Sequence, residues 1–320
     1  MNHKLKKKIL ILLTLLFVAV ITGVLKGAVN IPWQELILRE NQPIFSLRLF
    51  RVLVAIIAGS GLAVSGIALQ AILRNSLAEP YLLGTSSGAG LGAVVAIVLG
   101  ISRIYLPAAA FLGAILSIVL VYNLARENNK IPEQSLILSG VITSIALSAI
   151  IIFLISISKN EALYGMTWWL WGNLQVYDLK LLFVVTLIVF FGITIIYIFS
   201  QDLNAIVLGE EEAIHLGIDI EAVKKILILA VSLITASIVS LCGIIGFVGL
   251  MIPHMMRLVV GPNHKILIPT TCLAAAIFMV VCDIISRIIF PPLEIPIGVI
   301  TALLGAPAFI FLMKKRQVIK

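Results

Sequence analysis

Charged residues are scarce in this sequence. Asp, Glu, Lys and Arg together make up 12% of the 320 residues, whereas an ordinary soluble domain carries about 25%. Hydrophobic residues make up 61% of the chain. So little charge cannot cover the surface of a soluble domain, and the composition therefore predicts an integral membrane protein whose apolar segments contact membrane lipid.

Clustered metal ligands and catalytic groups are also lacking. The three cysteines, Cys242, Cys272 and Cys282, lie in apolar surroundings and have no metal-type spacing. His215 and His254 each stand without a cysteine or carboxylate partner nearby in the sequence. Metal sites and catalytic sites need such groups in clusters. We therefore expect no metal centre, no catalytic residue and no cofactor.

The pair Gly-Lys, which a phosphate-binding loop requires, occurs nowhere in the chain. Ionisable residues are nearly absent from the apolar runs, where Asp283 is the clear candidate. An ion-coupled secondary transporter, the alternative of another class, would need more such groups at membrane depth. If the chain takes part in active transport, a separate subunit must therefore supply ATP hydrolysis.

The positive charge does not indicate nucleic-acid binding. The formal net charge is +8, but Lys and Arg form short groups that flank apolar runs instead of a stripe with interleaved aromatic residues. We interpret them as determinants of membrane topology. No nucleic-acid partner is expected.

Ten apolar segments are long enough to be candidate spans, since a helix that crosses the membrane needs about 20 such residues. They cover residues 9–27, 49–70, 82–100, 106–125, 134–156, 178–200, 225–243, 245–260, 266–289 and 296–313. The seventh and eighth come from one apolar run, Ile226 to Gly261, which we expect to fold back at Gly243 to Gly246. The pattern predicts an all-α membrane protein with one permease domain over residues 1–320.

Basic residues indicate the orientation. With ten crossings and both termini in the cytoplasm, 15 of the 23 Lys and Arg residues face the cytoplasm. Removing one crossing would place the basic residues at the two ends of the chain on opposite sides, against the positive-inside tendency. We therefore predict that both termini are cytoplasmic.

One long polar stretch interrupts the apolar pattern, from Ser200 to Lys225. Its periodicity predicts two short amphipathic helices, with breaks at Gly209 and Gly217. The charge count places the stretch in the cytoplasm. It could occupy a groove on a soluble partner or lie as an amphipathic loop on the membrane surface.

The fifth apolar segment carries a ridge of hydroxyl groups, formed by Ser135, Ser139 and Thr143 at four-residue spacing. Such a ridge could serve close helix packing, or it could line a wide, uncharged translocation path. The residues themselves leave both interpretations open.

Three runs of the sequence resemble one family: Arg48 to Gly92, Gly243 to Pro269 and Leu293 to Met313. They are similar to the FecCD family of ATP-binding-cassette (ABC) permeases, which import ferric siderophores, haem and cobalamin. The resemblance implies a type II importer subunit with ten helices in the cell membrane. The implied partners are a second permease subunit, identical or related, a cytoplasmic ABC ATPase dimer and an extracytoplasmic solute-binding protein.

The resemblance also implies roles for individual residues. Arg48, Arg51 and Arg287 resemble arginines that dock the binding protein, and our topology places them on the outer side. The polar stretch, at about 202–223, resembles coupling helices that insert into the ATPase. The implied coupling residues are Leu208, Gly209, Glu210, Ala213, Leu216 and Gly217.

Asn75 and Leu77 resemble residues of the family's cytoplasmic constriction. Phe50 and Ser76 stand where the family commonly has proline, which leaves the charged and polar groups in place. We expect the cargo to be an iron complex, a ferric siderophore, with cobalamin or haem as the alternative.

Overall fold

The computed structural model describes residues 3–29, 31–36, 38–128, 130–176 and 178–318. The described residues form fourteen α-helices, numbered in chain order. They are α1 His3–Leu25, α2 Trp33–Leu36, α3 Gln42–Ile72, α4 Thr85–Val98, α5 Leu106–Ala125, α6 Glu133–Ile157, α7 Asn160–Leu170, α8 Leu179–Ile198, α9 Ser200–Leu208, α10 Glu210–His215, α11 Ile220–Cys242, α12 Val248–Val260, α13 His264–Ile288 and α14 Ile297–Val318. Short 3-10 turns cover Arg39–Asn41, Pro80–Leu83 and Arg103–Tyr105.

Every predicted apolar segment coincides with a helix, which confirms the all-helical prediction for the described part of the chain. Seven helices there are long and apolar enough to cross a membrane, namely α1, α3, α5, α6, α8, α11 and α13. The apolar parts of α4, α12 and α14 are shorter. At about 1.5 Å per residue, the 14 residues of α4 span about 21 Å of a core about 30 Å thick. The count of ten crossings and the cytoplasmic termini stay predictions, and Lys320, one of the counted basic residues, lies outside the described residues.

α3 is the central helix, and most of its apolar part is buried. It packs against α1, α8, α9, α11, α12 and α13. Small residues make this crowding possible, because a Cβ atom at Gly66 would overlap the carbonyl oxygen of Gly249 on α12. α1, by contrast, lies at the edge of the bundle, where Ala19 and Gly23 are its buried residues.

The break between α11 and α12 falls where the sequence predicted it. Gly243 has φ +69°, and Phe247 has φ +68°, a backbone conformation that costs a bulky residue about 1–2 kcal/mol. Glu79 stabilises this turn, since its Oε1 accepts a 2.9 Å hydrogen bond from the Phe247 N–H. Burial raises the pKa of the Glu79 carboxyl, and the Phe247 bond lowers it in part.

α7 was not predicted, because its 11 residues fall far short of a membrane span. Leu163, Met166 and Leu170 recur at helical spacing within it. Met166 is fully buried against Val94 and Ile151. This spacing of apolar residues is the signal in the sequence that indicates α7.

Candidate functional site

The predicted docking arginines and the predicted coupling segment lie at opposite ends of α13. At its beginning, the His264 N–H donates to Asn204 Oδ1 of α9 at 2.9 Å. Near its end, Arg287 contacts the last residues of α1. At 1.5 Å per residue, these two ends are about 35 Å apart.

The three predicted arginines converge at the second end, but they are buried and already paired. Arg51 donates from Nε to Asp283 Oδ1 at 2.5 Å and from Nη1 to Glu294 Oε2 at 2.6 Å. Arg287 Nη2 lies 2.6 Å from Asp283 Oδ2. Asp283 has 0% of its side chain exposed, and a guanidinium faces each of its oxygens. We call Arg48, Arg51, Asp283, Arg287 and Glu294 the arginine cluster.

Two members of the arginine cluster also cap α1. Arg48 Nη1 donates to the carbonyl oxygen of Leu25 at 2.8 Å, and Arg287 donates to the carbonyl oxygens of Gly23 and Lys26, both at 2.9 Å. The last carbonyls of a helix have no partner within the helix, and cations are favourable there. In the structure these arginines tie α1, α3 and α13 together, and their expected position on the outer side of the membrane stays a prediction.

The acidic partners in the cluster were not assigned from the sequence. Asp283 stood out as a charge at membrane depth, and its spacing of four residues from Arg287 is the signal that could have revealed the pair. Glu294 gave no comparable signal, because it contacts Arg51 across 243 positions. Only the fold brings the two residues together.

A cavity of about 220 Å³ lies beside the arginine cluster. Its walls include Arg48, Arg51 and Arg287, together with Gln175 and Glu294. Among its described lining residues, three cations face one carboxylate. The chemistry of this cavity favours an acidic group.

At the opposite end, α9 and α10 display apolar side chains. Leu208 is 74% exposed and Leu216 is 68% exposed, whereas Ala213 between them is fully buried. Lys224 of α11 donates to Glu210 Oε1 at 2.6 Å, and this hydrogen bond lowers the pKa of the Glu210 carboxyl. Ala213 and Glu210 thus fix the segment, and the leucines face outward.

Both predicted glycine breaks are present. Gly217 has φ +80° and ends α10 with two hydrogen bonds, from its own N–H to the Ile214 carbonyl at 2.9 Å and from the Ile218 N–H to the Ala213 carbonyl at 3.1 Å. This is the Schellman pattern, which favours glycine at that position. Gly209 separates the two helices, and a Cβ atom there would overlap the Glu212 carboxylate.

The predicted constriction residues lie just after α3. Asn75 Oδ1 accepts a 2.9 Å hydrogen bond from the Leu77 N–H, and the Leu77 side chain is half exposed. Arg74 beside them forms an ion pair with Glu133, which raises the pKa of the Arg74 guanidinium. A defined turn at the end of α3 therefore presents Leu77.

The three residues of the hydroxyl ridge of α6 differ in their exposure. Thr143 is buried next to Gly84, so it serves packing within the chain. Ser135 and Ser139 are partly exposed, and Ser135 donates to Glu127 Oε1 at 2.6 Å. The role of this ridge in a translocation path stays a prediction.

The sequence profile of the FecCD transport family matches residues 13–315. The chain belongs to the FecCD transport family. Among its relatives in this family, the cobalamin import system permease protein BtuC of Halobacterium salinarum is 39% identical over 277 residues, 85% of this chain and 73% of that protein. The Fe(3+) dicitrate transport system permease protein FecD of Escherichia coli is 32% identical over 299 residues, 91% of this chain and 93% of that protein.

A solved structure, described as a metal-chelate type ABC transporter in an inward-facing conformation, superposes with a TM-score of 0.87. It is 33% identical, and the match covers 97% of this chain and 99% of that one. The FecCD chain is therefore the permease of an ABC importer, a transport subunit and not an enzyme. It is a multi-pass protein of the inner membrane.

Proposed function

We propose that this FecCD chain forms the translocation pathway of an importer for an iron complex, a ferric siderophore. It crosses the membrane ten times, with both termini in the cytoplasm and with α9 and α10 on the cytoplasmic side. The opposite placement of the arginine cluster and the exposed leucines carries the proposal, because a transport subunit must accept cargo at one face and receive work at the other.

The segment over residues 202–223 couples the permease to a cytoplasmic ABC ATPase dimer. Leu208 and Leu216 are large, exposed apolar side chains on a fixed segment, and such side chains serve as anchors in a groove of a partner. Gly209, Glu210, Ala213 and Gly217 set the geometry of the segment. In the alternative position, on the membrane surface, the two leucines would contact lipid instead of the ATPase.

The arginine cluster docks an extracytoplasmic solute-binding protein. The described lining of its cavity holds three arginines and Glu294, and with the buried Asp283 the arginine cluster keeps a net charge of +1 (three cations minus two carboxylates). Arginine recognises carboxylates through paired hydrogen bonds. The internal bonds of the arginines hold them in fixed positions. Docking therefore uses preformed positive charge instead of mobile surface side chains.

A second permease subunit, either a copy of this chain or a related one, completes the path. The partly exposed Ser135 and Ser139 line it, Thr143 supports their helix, and Asn75 and Leu77 form its cytoplasmic constriction. The exposed apolar residues of α6 support contact with lipid or with that second subunit.

The cargo has two candidates. The relative FecD, named for Fe(3+) dicitrate, supports an iron complex, and the metal-chelate type neighbour supports a metal chelate, a class that includes both candidates. The relative named for cobalamin supports cobalamin and has the higher identity, 39%. Haem, the other alternative from the sequence, gains no support from these three proteins.

Uptake measurements test the proposal. Cells that lack their own importers receive this chain with its ATPase and its binding protein, and uptake of radiolabelled ferric siderophore is compared with that of radiolabelled cobalamin. We expect ATP-dependent uptake of iron. Uptake of cobalamin alone would establish the second candidate, and uptake of neither would overturn both.

A further inference from the structure

We infer that Glu294 is a resident carboxylate of the arginine cluster, and that a carboxylate of the docking partner replaces it at Arg51. This inference rests on the proposed docking function. It adds a step to it: the permease itself occupies the binding position until the partner arrives.

The two carboxylates of the cluster differ in access to solvent. Asp283 has 0% of its side chain exposed, and Arg51 and Arg287 hold its two oxygens. Glu294 has 21% of its side chain exposed and lies in the loop between α13 and α14. Removing Asp283 would leave buried cations without compensation. Glu294 can instead turn toward water, so it is the carboxylate that exchanges.

The geometry at Arg51 identifies the position of the exchange. Arg51 donates a hydrogen bond from Nε to Asp283 and another from Nη1 to Glu294. Its guanidinium therefore binds one fixed carboxylate and one accessible carboxylate. The cavity of about 220 Å³ is lined by both Arg51 and Glu294. An acidic side chain that enters this cavity therefore competes with Glu294 for Nη1 of Arg51.

Arg48 and Arg287 differ from Arg51 in this respect. Arg48 donates to carbonyl oxygens near the end of α1, and Arg287 combines such bonds with its ion pair to Asp283. Their charge attracts an acidic partner, but their side chains are held by backbone carbonyls or by a buried carboxylate. The exchange is thus confined to Arg51.

The exchange has a structural consequence for the start of α14. Ile295, next to Glu294, is fixed by two hydrogen bonds to Ser286, one from the Ile295 N–H at 3.1 Å and one from Ser286 Oγ at 2.5 Å. Gln175 Nε2 donates to Glu294 Oε2 at 2.8 Å. Arg51 donates to this same oxygen, so Glu294 gives up both contacts when it turns toward water, while Ile295 stays bonded to Ser286. Docking is thereby connected to the segment that leads into α14.

The test compares three variants of the full transporter in lipid nanodiscs, with the solute-binding protein of the uptake experiment as the probe. Glu294→Gln removes the charge, and Glu294→Asp keeps the charge but shortens the reach to Arg51 by one methylene. Glu40→Gln is the matched control, because Glu40 is an exposed carboxylate just before α3. Monodisperse elution and an unchanged Tm establish that each variant is folded.

We expect both Glu294 variants to bind the probe about tenfold more tightly than the wild type, a change of about 1.4 kcal/mol. The control is expected to stay within about twofold, as for an exposed carboxylate that forms no ion pair with the arginine cluster. Equal effects of Glu294→Gln and Glu40→Gln, with none for Glu294→Asp, would show that only net charge matters and would overturn the exchange. Unchanged or weaker binding by both Glu294 variants would overturn it as well. A wild-type transporter that does not bind the probe would instead refute docking itself, and the exchange with it.

Discussion

At the scale of single residues, Asp283 shows how this chain tolerates charge next to an apolar core. A buried carboxylate is costly unless it is paired, and Asp283 contacts guanidinium groups from two helices. One of them, Arg51, lies 232 positions away along the chain. Asp283 therefore links α3 to α13 by an ion pair.

Replacing Asp283 by Asn should destabilise the protein by about 3–5 kcal/mol, because the two arginines would remain buried without their shared carboxylate. The Tm in detergent, followed by fluorescence-detected size-exclusion chromatography, measures the effect. Glu211→Gln, at an exposed position of α10, is the control and should leave the Tm unchanged. Equal Tm values for both variants would contradict the structural role of Asp283.

Leu216 allows a second test at this scale. Leu216→Asp should weaken ATPase association by about 2 kcal/mol or more, the usual cost of losing an anchor residue. Leu216→Met preserves the apolar volume and should keep most of the affinity. Titration of the ATPase against nanodisc-held permease gives both values. If the Asp variant binds as the wild type does, α9 and α10 are a loop on the membrane surface and not a coupling element.

At the scale of elements, the closure of α10 rests on the backbone of Gly217. Its φ of +80° is accessible to glycine, and nothing lies within 4 Å of a Cβ atom built there. A substitution at this position therefore changes backbone strain without creating a side-chain clash. Substitutions of Gly217 therefore measure the free-energy cost of the backbone conformation without a contribution from packing.

Gly217→Val should loosen α10 by about 1–2 kcal/mol, because a β-branched residue resists this conformation. Gly217→Asn is the matched control, since asparagine tolerates it. Hydrogen exchange of the amides over residues 210–218 reports the opening of the segment. Similar exchange in the two variants would show that the glycine is not required.

The sequence predicted helices better than it predicted their ends. The ten apolar segments could be found from their length alone. The breaks could be found from glycines, because the positive φ angles at Gly209, Gly217 and Gly243 exclude most other residues. The late start of α4 could not be predicted, since the 3-10 turn Pro80–Leu83 interrupts the apolar segment without any loss of hydrophobicity. Helix ends inside apolar runs are decided by tertiary contacts.

At the scale of the whole molecule, the two candidate sites differ in how much the sequence disclosed. The amphipathic pattern of α9 and α10 is local, so their structure could be predicted, and Leu208 and Leu216 are indeed displayed. Apart from the ion pair of Arg287 with Asp283 four positions away, the contacts named above for Arg48, Arg51 and Arg287 join partners 19 or more positions apart. Sequence periodicity carries no information about such pairs.

The absence of a Gly-Lys pair leads to a prediction for the complete transporter. The purified chain in lipid should hydrolyse no ATP, and addition of its ATPase partner should produce hydrolysis, because the nucleotide site belongs to that partner. Phosphate release measured with and without the ATPase checks this. A catalytically inactive ATPase is the control, and phosphate release by the isolated chain would contradict the assignment.

The capping of α1 has a consequence for biosynthesis. Arg287 is translated 261 positions after Lys26, whose carbonyl it binds. At about 5–20 residues per second, the ribosome needs roughly 13 to 50 s to produce that partner. Arg48 is translated soon after α1 and binds the Leu25 carbonyl, but throughout this interval the Gly23 and Lys26 carbonyls lack their bonds from Arg287. The most apolar part of α1 has a mean hydropathy of 2.7, which keeps α1 in lipid during this time, so α1 enters the bilayer early and receives its contacts from α13 last.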